Sequence, residues 1–156
     1  ILIGELRDST MHARMRGSSK LRLMASPAYL AKHGTPQSVA DLAHHRLLGF
    51  SQLEQHNIWP VRQADGELLQ IKPGVGASSG ETLLHLALHG QGIVRVSDFL
   101  CREATASGQL VPVLAAETCE MRHPINAVYY RNSTLAARIS CFLDYLSEQL
   151  ASQNLL

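Results

Sequence analysis

The chain has 156 residues, 46% of them hydrophobic, and a formal net charge of only +1 with its eight histidines counted as neutral. This length and apolar content suffice for one ordinary core or two small lobes, and they exclude a disordered or repetitive chain. The small net charge argues against the strongly basic face that direct binding to a DNA backbone needs. Three widely spaced cysteines, Cys101, Cys119 and Cys141, indicate reduced thiols rather than a disulfide framework.

The first residues show how the chain starts. Ile1–Gly4 is typical of the end of a strand, and Glu5–Thr10 is typical of a polar loop. The opening lacks the basic flank of a signal peptide, and no apolar run approaches the roughly 20 residues of a membrane span. We therefore expect a soluble, cytoplasmic protein that makes no membrane contact and a chain that begins inside a domain.

The stretch from residue 21 to 42 predicts a buried strand followed by two helices. The strand is Leu21–Met24, and Ser26 with Pro27 starts the first helix, which ends at Gly34. Ser38 then caps a second helix that has an acid in its first turn. Upstream, Arg14, Arg16, Lys20 and Arg22 form a basic run that we interpret as a solvated face.

The middle of the chain predicts short strands. Arg46–Phe50 is a buried strand, and Ile58–Val61 is an edge strand because Pro60 cannot donate to a ladder. Asp65-Gly66 is a turn signal, and Leu68–Val75 is the returning strand of a hairpin.

The remaining elements alternate between helices and strands. Ser78 and Glu81 form a capping box before an apolar helix that stops at Gly90. The other elements are strand Ile93–Val96, a helix from Asp98 to about Ser107 capped by Ser97, strands Leu110–Leu114 and Asn126–Arg131, and helix Leu135–Leu150. This order predicts an α/β fold with a mostly parallel sheet.

Several of these phrases together resemble one family. Ala25–Pro36, Asp41–Phe50, Ser79–Glu81 and Gly90–Ile93 stand in the order found in effector-binding domains of LysR-type transcriptional regulators. The resemblance continues through Val96–Leu100, Gly108–Leu114 and the strand at Ile125–Tyr130, so it covers nearly the whole chain.

The resemblance implies an α/β fold of the type 2 periplasmic-binding-protein kind. Two Rossmann-like lobes would be joined by two crossover strands, Leu21–Met24 and Ile93–Val96, with a ligand cleft between them. Lobe I would contain residues 1–25 and 97–156, with its first strands absent, and lobe II residues 26–96. Paired crossovers would act as a hinge, since extended segments can absorb a rotation.

The same resemblance places effector contacts on four segments. They are Ala25 and Ser26, Phe50 and Ser51, the loop Ser78, Ser79, Gly80 and Glu81, and Val96 with Ser97. Backbone N–H groups at the start of a helix, with the positive end of its dipole, suit an anion. The predicted effector is therefore a small anionic molecule. The resemblance also implies a homodimer or homotetramer that binds DNA only through an N-terminal helix-turn-helix domain, absent from this sequence.

Two other functions fit parts of the sequence. Gly76–Gly80 matches G-x-S-x-G, and Asp98 and His123 follow in the order of a hydrolase triad, so Ser78 is a candidate nucleophile. A solute-binding protein of a transport system would share the two-lobe architecture but would carry an export signal. The regulatory domain is the favoured prediction, and it is not an enzyme.

No metal or cofactor is predicted. His85 and His89 have the spacing of a two-histidine metal site, but the sequence shows no third ligand for them. Gly74-x-Gly76 and Gly90-x-Gly92 are incomplete nucleotide fingerprints and are interpreted as turns.

Overall fold

The computed structural model describes residues 2–3, 11–52, 54–130, 141–142, 144–146 and 148–149. The chain divides into two compact units, unit 1 with Ile1–Lys20 and Arg122–Leu156, and unit 2 with Leu21–Met121. The predicted lobes instead divide after residues 25 and 96. The units differ because Ile93–Ser97 pairs with Leu21–Met24 inside unit 2. The lobe boundaries themselves stay a prediction.

Unit 1 contains an antiparallel sheet. Its strands are β1 (Leu2–Ile3), the first part of β2 (Met11–Ala25) and β9 (Arg122–Tyr130), with β9 between the other two. Both long strands extend beyond the predicted ones, because their backbones pair with each other from Met11 with Tyr130 to Lys20 with Arg122. The predicted loop Glu5–Thr10 lies outside the described residues. The predicted helix Leu135–Leu150 is described only in part, and those parts are helical.

Unit 2 contains a mixed sheet with parallel pairs on one side and antiparallel pairs on the other. Its strands are the end of β2, β3 (Leu47–Phe50), β6 (Val75–Ala77), β7 (Ile93–Ser97) and β8 (Val111–Pro112). They lie in the order β8, β2, β7, β3, β6. β3 runs parallel to both β6 and β7, whereas β2 is antiparallel to β7 and to β8. The α/β prediction is confirmed, but the expected mostly parallel sheet is wrong for the described strands, because the parallel pairs there are those of β3 with β6 and β7.

Buried residues pack on both faces of this sheet. One cluster joins Leu23 and Ile93 to Tyr29 and Trp59, on α1 (Pro27–His33) and in the hairpin of β4 (Ile58–Arg62) with β5 (Leu68–Gln70). The other joins Met24 and Val94 to Leu83 and Cys101, on α2 (Gly80–Leu88) and α3 (Asp98–Ala106). Successive side chains along β2 and β7 therefore point alternately into two cores. Among the described residues, no helix is long and apolar enough to cross a membrane.

The helix caps follow the sequence signals with two corrections. The Ser26 hydroxyl accepts the Tyr29 N–H at 3.3 Å, and Gly34 ends α1 with φ of 85°. Ser38 starts a 3₁₀ helix, Val39–His44, rather than an α-helix, with Asp41 completing a capping box. The cap of α2 is Ser79, whose hydroxyl accepts the Thr82 N–H at 3.2 Å, and not Ser78. The helix starts one residue later because Ser79 lies in an extended conformation.

The predicted strand Leu68–Val75 is two strands in the structure. β5 pairs with β4 in the hairpin, whereas β6 starts at Val75 and joins β3 in the main sheet. Pro73, which has no N–H, stands between them, and the Gly74 N–H donates to the Leu47 carbonyl at 2.9 Å. The chain therefore changes sheet at this point.

A buried tyrosine connects α1 to the start of β3. The Tyr29 hydroxyl accepts the Arg46 N–H at 2.9 Å and lies 3.1 Å from His45 Nδ1. The hydroxyl can donate to His45 or accept from it, so the direction of this second bond depends on the His45 tautomer. Burial, followed by the nearby His33, lowers the pKa of His45 below its usual 6.5.

This network predicts that the chain loses stability as the pH falls below about 6.5. Between the lowered pKa of His45 and 6.5, the unfolded chain binds more protons than the folded chain, which favours unfolding at lower pH. His45→Gln should flatten the pH dependence of the urea midpoint in this range, whereas His44→Gln should change it little. An unchanged slope in His45→Gln would contradict the assignment.

A second prediction concerns Gly92. A Cβ at this buried position would collide with the backbone carbonyl oxygen of Arg46, which accepts the Ile93 N–H at 2.9 Å. We expect Gly92→Ala to lower the free energy of unfolding by about 1–3 kcal/mol, measured by urea denaturation. Gly74→Ala is the control, because its Cβ would meet its nearest neighbour at an ordinary 3.5 Å. Equal stability of the two variants would contradict the packing described.

Candidate functional site

The carboxyl ends of three parallel strands meet at one edge of the unit 2 sheet. Phe50 ends β3 and pairs with Ala77 at the end of β6, and β7 ends at Ser97. In open α/β sheets, ligands bind at this edge, where the loops that follow the strands converge. We call it the carboxyl edge, and it carries Phe50, Ser51, Ser78, Ser79, Gly80, Glu81 and Ser97.

The loops after β3 and β6 are in direct contact. The Ser51 N–H donates to the Ala77 carbonyl at 3.0 Å, so the ladder extends one residue past β3. A Cβ at Gly76 would lie 3.1 Å from the Ser51 Cβ, which shows how closely the two backbones approach. Ser51, Ser78 and Ser79 are all exposed, so three hydroxyl groups lie in these loops.

The first turn of α2 supplies backbone donors at this edge. Among the described residues, the N–H groups of Gly80 and Glu81 have no acceptor, as expected for the start of a helix. The site of a Cβ on Gly80 is 3.9 Å from Phe50 Cζ and 3.6 Å from Leu100 Cδ2, so this turn packs against the aromatic ring. The donors and the helix dipole can bind a carboxylate or a similar anion.

A buried asparagine holds Phe50 in place, and it is not among the residues predicted from the sequence. Asn57 is 3% exposed; its Oδ1 accepts the Phe50 N–H at 2.8 Å and its Nδ2 donates to the Phe50 carbonyl at 2.8 Å. Asn57 therefore provides hydrogen-bond partners for both the N–H and the carbonyl of Phe50. The only signal in the sequence was a polar residue next to Ile58, which did not distinguish Asn57 from a loop residue.

Two further residues near Phe50 were not predicted as part of the site. The His56 ring lies edge-on to Phe50 with centroids 5.2 Å apart. Burial, and then the charge of Arg95, lowers the pKa of His56. Arg95 on β7 is buried, and burial lowers its pKa to about 10, so it remains cationic at neutral pH. Its Nη1 lies 3.4 Å from the Ile58 carbonyl oxygen. A buried positive charge thus lies on β7, two residues before the strand ends at Ser97.

Ser97 and Asp98 mark the third part of the edge. Ser97 precedes α3 as its N-cap residue, but its side chain makes no cap hydrogen bond. The Asp98 carboxylate forms an ion pair with Arg22, in which Arg22 Nη2 is 3.3 Å from Oδ2. The hydrogen bond to Asp98 is the main reason why the pKa of Arg22 is raised. The carboxylate proposed for a hydrolase triad is therefore engaged by a guanidinium, and Arg22 is paired rather than simply solvated.

Three of the predicted effector contacts do not lie with the others. Because β2 runs antiparallel to β7, Ala25 and Ser26 lie at the opposite end of the sheet, where Ser26 Oγ is 3.6 Å from the Cβ position of Gly90. Val96 is level with Phe50, but its side chain is buried in the core under α2 and α3. Their predicted role stays a prediction. Strand direction separates Ala25 and Ser26 from the other contacts, and burial separates Val96.

His85 and His89 interact within one turn of helix. His89 Nδ1 lies 2.8 Å from the His85 carbonyl oxygen. Within the described residues, no group of three or more histidine, cysteine or acidic side chains could hold a metal ion. Cys101 is buried, Cys119 half-buried and Cys141 exposed, and all three are free thiols.

The Asn57 bonds yield a prediction about the carboxyl edge. Asn57→Ala removes both bonds to Phe50 and leaves buried backbone groups without partners, so we expect a loss of about 2–4 kcal/mol in the free energy of unfolding. Gln70→Ala is the control, because exposed Gln70 donates a single bond to the Glu54 carbonyl. Urea denaturation measures both variants. If Asn57→Ala lowers the free energy of unfolding less than Gln70→Ala does, Asn57 does not anchor the strand.

Comparisons with known proteins agree with this architecture. The model of the family "LysR substrate binding domain" matches residues 1–151. The HTH-type transcriptional regulator CrgA of Neisseria meningitidis serogroup B is 48% identical over 149 residues, which are 96% of this chain and 50% of CrgA. A regulator of Haemophilus influenzae is 31% identical over 139 residues, covering 88% of this chain and 48% of that protein. The chain spans about half the length of these relatives.

Solved structures show the same fold. The CrgA regulatory domain aligns with a TM-score of 0.87 at 49% identity, covering 94% of this chain and 72% of that one. The effector domain of AmpR from Pseudomonas aeruginosa, at 19% identity and a TM-score of 0.67, covers 99% of this chain and 74% of that one and shows the fold alone. The chain therefore belongs to the LysR substrate-binding domain family.

Proposed function

We propose that this chain is the effector-sensing domain of a LysR-type transcriptional regulator and that it binds a small anionic molecule at the carboxyl edge. The observation that carries the proposal is that, in this member of a family of regulatory domains, three loops follow parallel strands at one edge. The loops after β3 and β6 carry exposed hydroxyl groups there, and the start of α2 adds backbone donors. No comparable observation favours a transport protein or a hydrolase.

The charges near the carboxyl edge support an anionic effector. Asp98 is neutralised by Arg22, and Arg95 keeps its positive charge while buried. The N–H groups of Gly80 and Glu81 add donors at the positive end of a helix dipole. A carboxylate would therefore gain charge-assisted hydrogen bonds there, which are roughly twice as strong as neutral ones.

Signal transmission would use the predicted hinge between the two lobes. An effector shifts a conformational equilibrium only if it binds one conformation more tightly than the other. A coupling of about 1–3 kcal/mol would suffice, as is typical of allosteric proteins. In the whole regulator, this domain would pair with a second copy as a homodimer or homotetramer. It would act in the cytoplasm on DNA bound by an N-terminal helix-turn-helix domain.

Thermal unfolding with a panel of small carboxylates and aromatic acids tests the proposal. We expect one compound to raise the unfolding temperature, because a ligand at a hundred times its dissociation constant adds about 2.7 kcal/mol of stability. Ser51→Tyr should reduce this rise, since the larger side chain occupies the edge where the loops after β3 and β6 touch.

Thr35→Tyr, in an exposed loop after α1, is the matched control and should leave the rise unchanged. The unfolding temperature without ligand checks that each variant folds. Binding at the carboxyl edge is contradicted if no compound raises the unfolding temperature of the unchanged protein. It is also contradicted if Ser51→Tyr shows the same rise as the unchanged protein.

A further inference from the structure

A second cavity lies at the amino ends of the same strands. Its volume is about 370 Å³, within the lower range of small-molecule sites. Residues from α1, from the start of β3 and from the turn between α2 and β7 line it. We call it the amino-end cavity and follow five of its polar side chains, Lys32, His33, Arg46, His89 and Gln91.

The charges around the amino-end cavity have one sign. Lys32 and Arg46 are cationic, and none of the residues that line the cavity is acidic. In the described part of the chain, neither Lys32 nor Arg46 forms an ion pair, although Arg46 Nη1 lies 3.4 Å from Gln91 Oε1. Two cations and two imidazoles thus surround a cavity that contains no compensating carboxylate.

Buried groups hold this arrangement in place. The Tyr29 ring, 3% exposed, stacks on His33 with centroids 4.6 Å apart. The same residue accepts the Arg46 N–H through its hydroxyl, and the Arg46 carbonyl accepts the Ile93 N–H at 2.9 Å. His89 Nδ1 lies 2.8 Å from the His85 carbonyl oxygen, and this contact orients the ring. Such preorganisation lowers the entropy cost of binding.

Helix stabilisation alone does not explain the cluster. Basic residues at the carboxyl end of a helix interact favourably with its dipole, which accounts for Lys32 and His33 on α1 and for His89 after α2. Arg46 precedes β3 and lies outside any helix, yet its side chain lines the same cavity. Its placement beside the other cations requires a separate reason.

We infer that the amino-end cavity binds a small dianion, a phosphate monoester or a dicarboxylate, between Lys32 and Arg46. The cavity is distinct from the carboxyl edge, because the two lie at opposite ends of the parallel strands β3 and β7. The amino-end cavity is thus a second ligand-binding site in unit 2.

Calorimetric titration of the full-length protein with inorganic phosphate and with succinate, at constant ionic strength, tests this inference. We expect binding of at least one dianion, and a loss of about tenfold in affinity in Lys32→Gln and in Arg46→Gln. Both side chains are exposed, so both variants should fold, which circular dichroism checks. Phosphate and succinate together distinguish the two ligand classes.

Lys72→Gln is the matched control, because it removes an exposed lysine that does not line this cavity. It should leave the affinity unchanged, as should Ser51→Tyr at the carboxyl edge. No binding of either dianion, or equal affinity in Arg46→Gln, Lys32→Gln and Lys72→Gln, would overturn the inference. A loss confined to Ser51→Tyr would also overturn it and would locate the anion at the proposed effector edge instead.

Discussion

The parallel pairing of β3 with both β6 and β7 is the constraint on which the rest of unit 2 depends. Parallel strands require long connections, and here those connections carry the hairpin, α2 and the turn at Gly92. Because all three strands point the same way, the loops after them meet at one end and the segments before them meet at the other. A single topological feature therefore produces both the carboxyl edge and the amino-end cavity.

Buried polar side chains hold the loops at each end of these strands. Asn57 binds both backbone groups of Phe50 at the carboxyl end, and Tyr29 binds the Arg46 N–H at the amino end. A buried donor or acceptor that loses its partner costs about 1–3 kcal/mol, so these contacts define where the strand begins and ends. Ligand-binding side chains next to such anchors need little reorganisation when a ligand arrives.

Local signals predicted the helix starts well and the strand partners poorly. Ser26 with Pro27 and Gly34 bounded α1 correctly, because a cap depends on residues a few positions apart. The N-cap of α2 was predicted one residue too early, since Ser78 and Ser79 carry the same hydroxyl and only the backbone conformation distinguishes them. The strand Leu68–Val75 was wrong in its pairing, because β6 is held by β3, which is distant in sequence. For the same reason, the polar segment that forms the first half of β2 carried no strand pattern of its own.

The sequence by itself determined the family, the α/β class and most of the residues that follow the parallel strands, because each depends on short motifs and on local alternation of apolar residues. Only the tertiary structure decided that Ala25 and Ser26 lie at the other end of the sheet from Ser51 and Ser79. It also decided that Asn57 and Arg95 are buried and that Arg46 lines the same cavity as Lys32. Strand direction and long-range pairing determine which side chains meet, and neither property is contained in the spacing of residues along the chain.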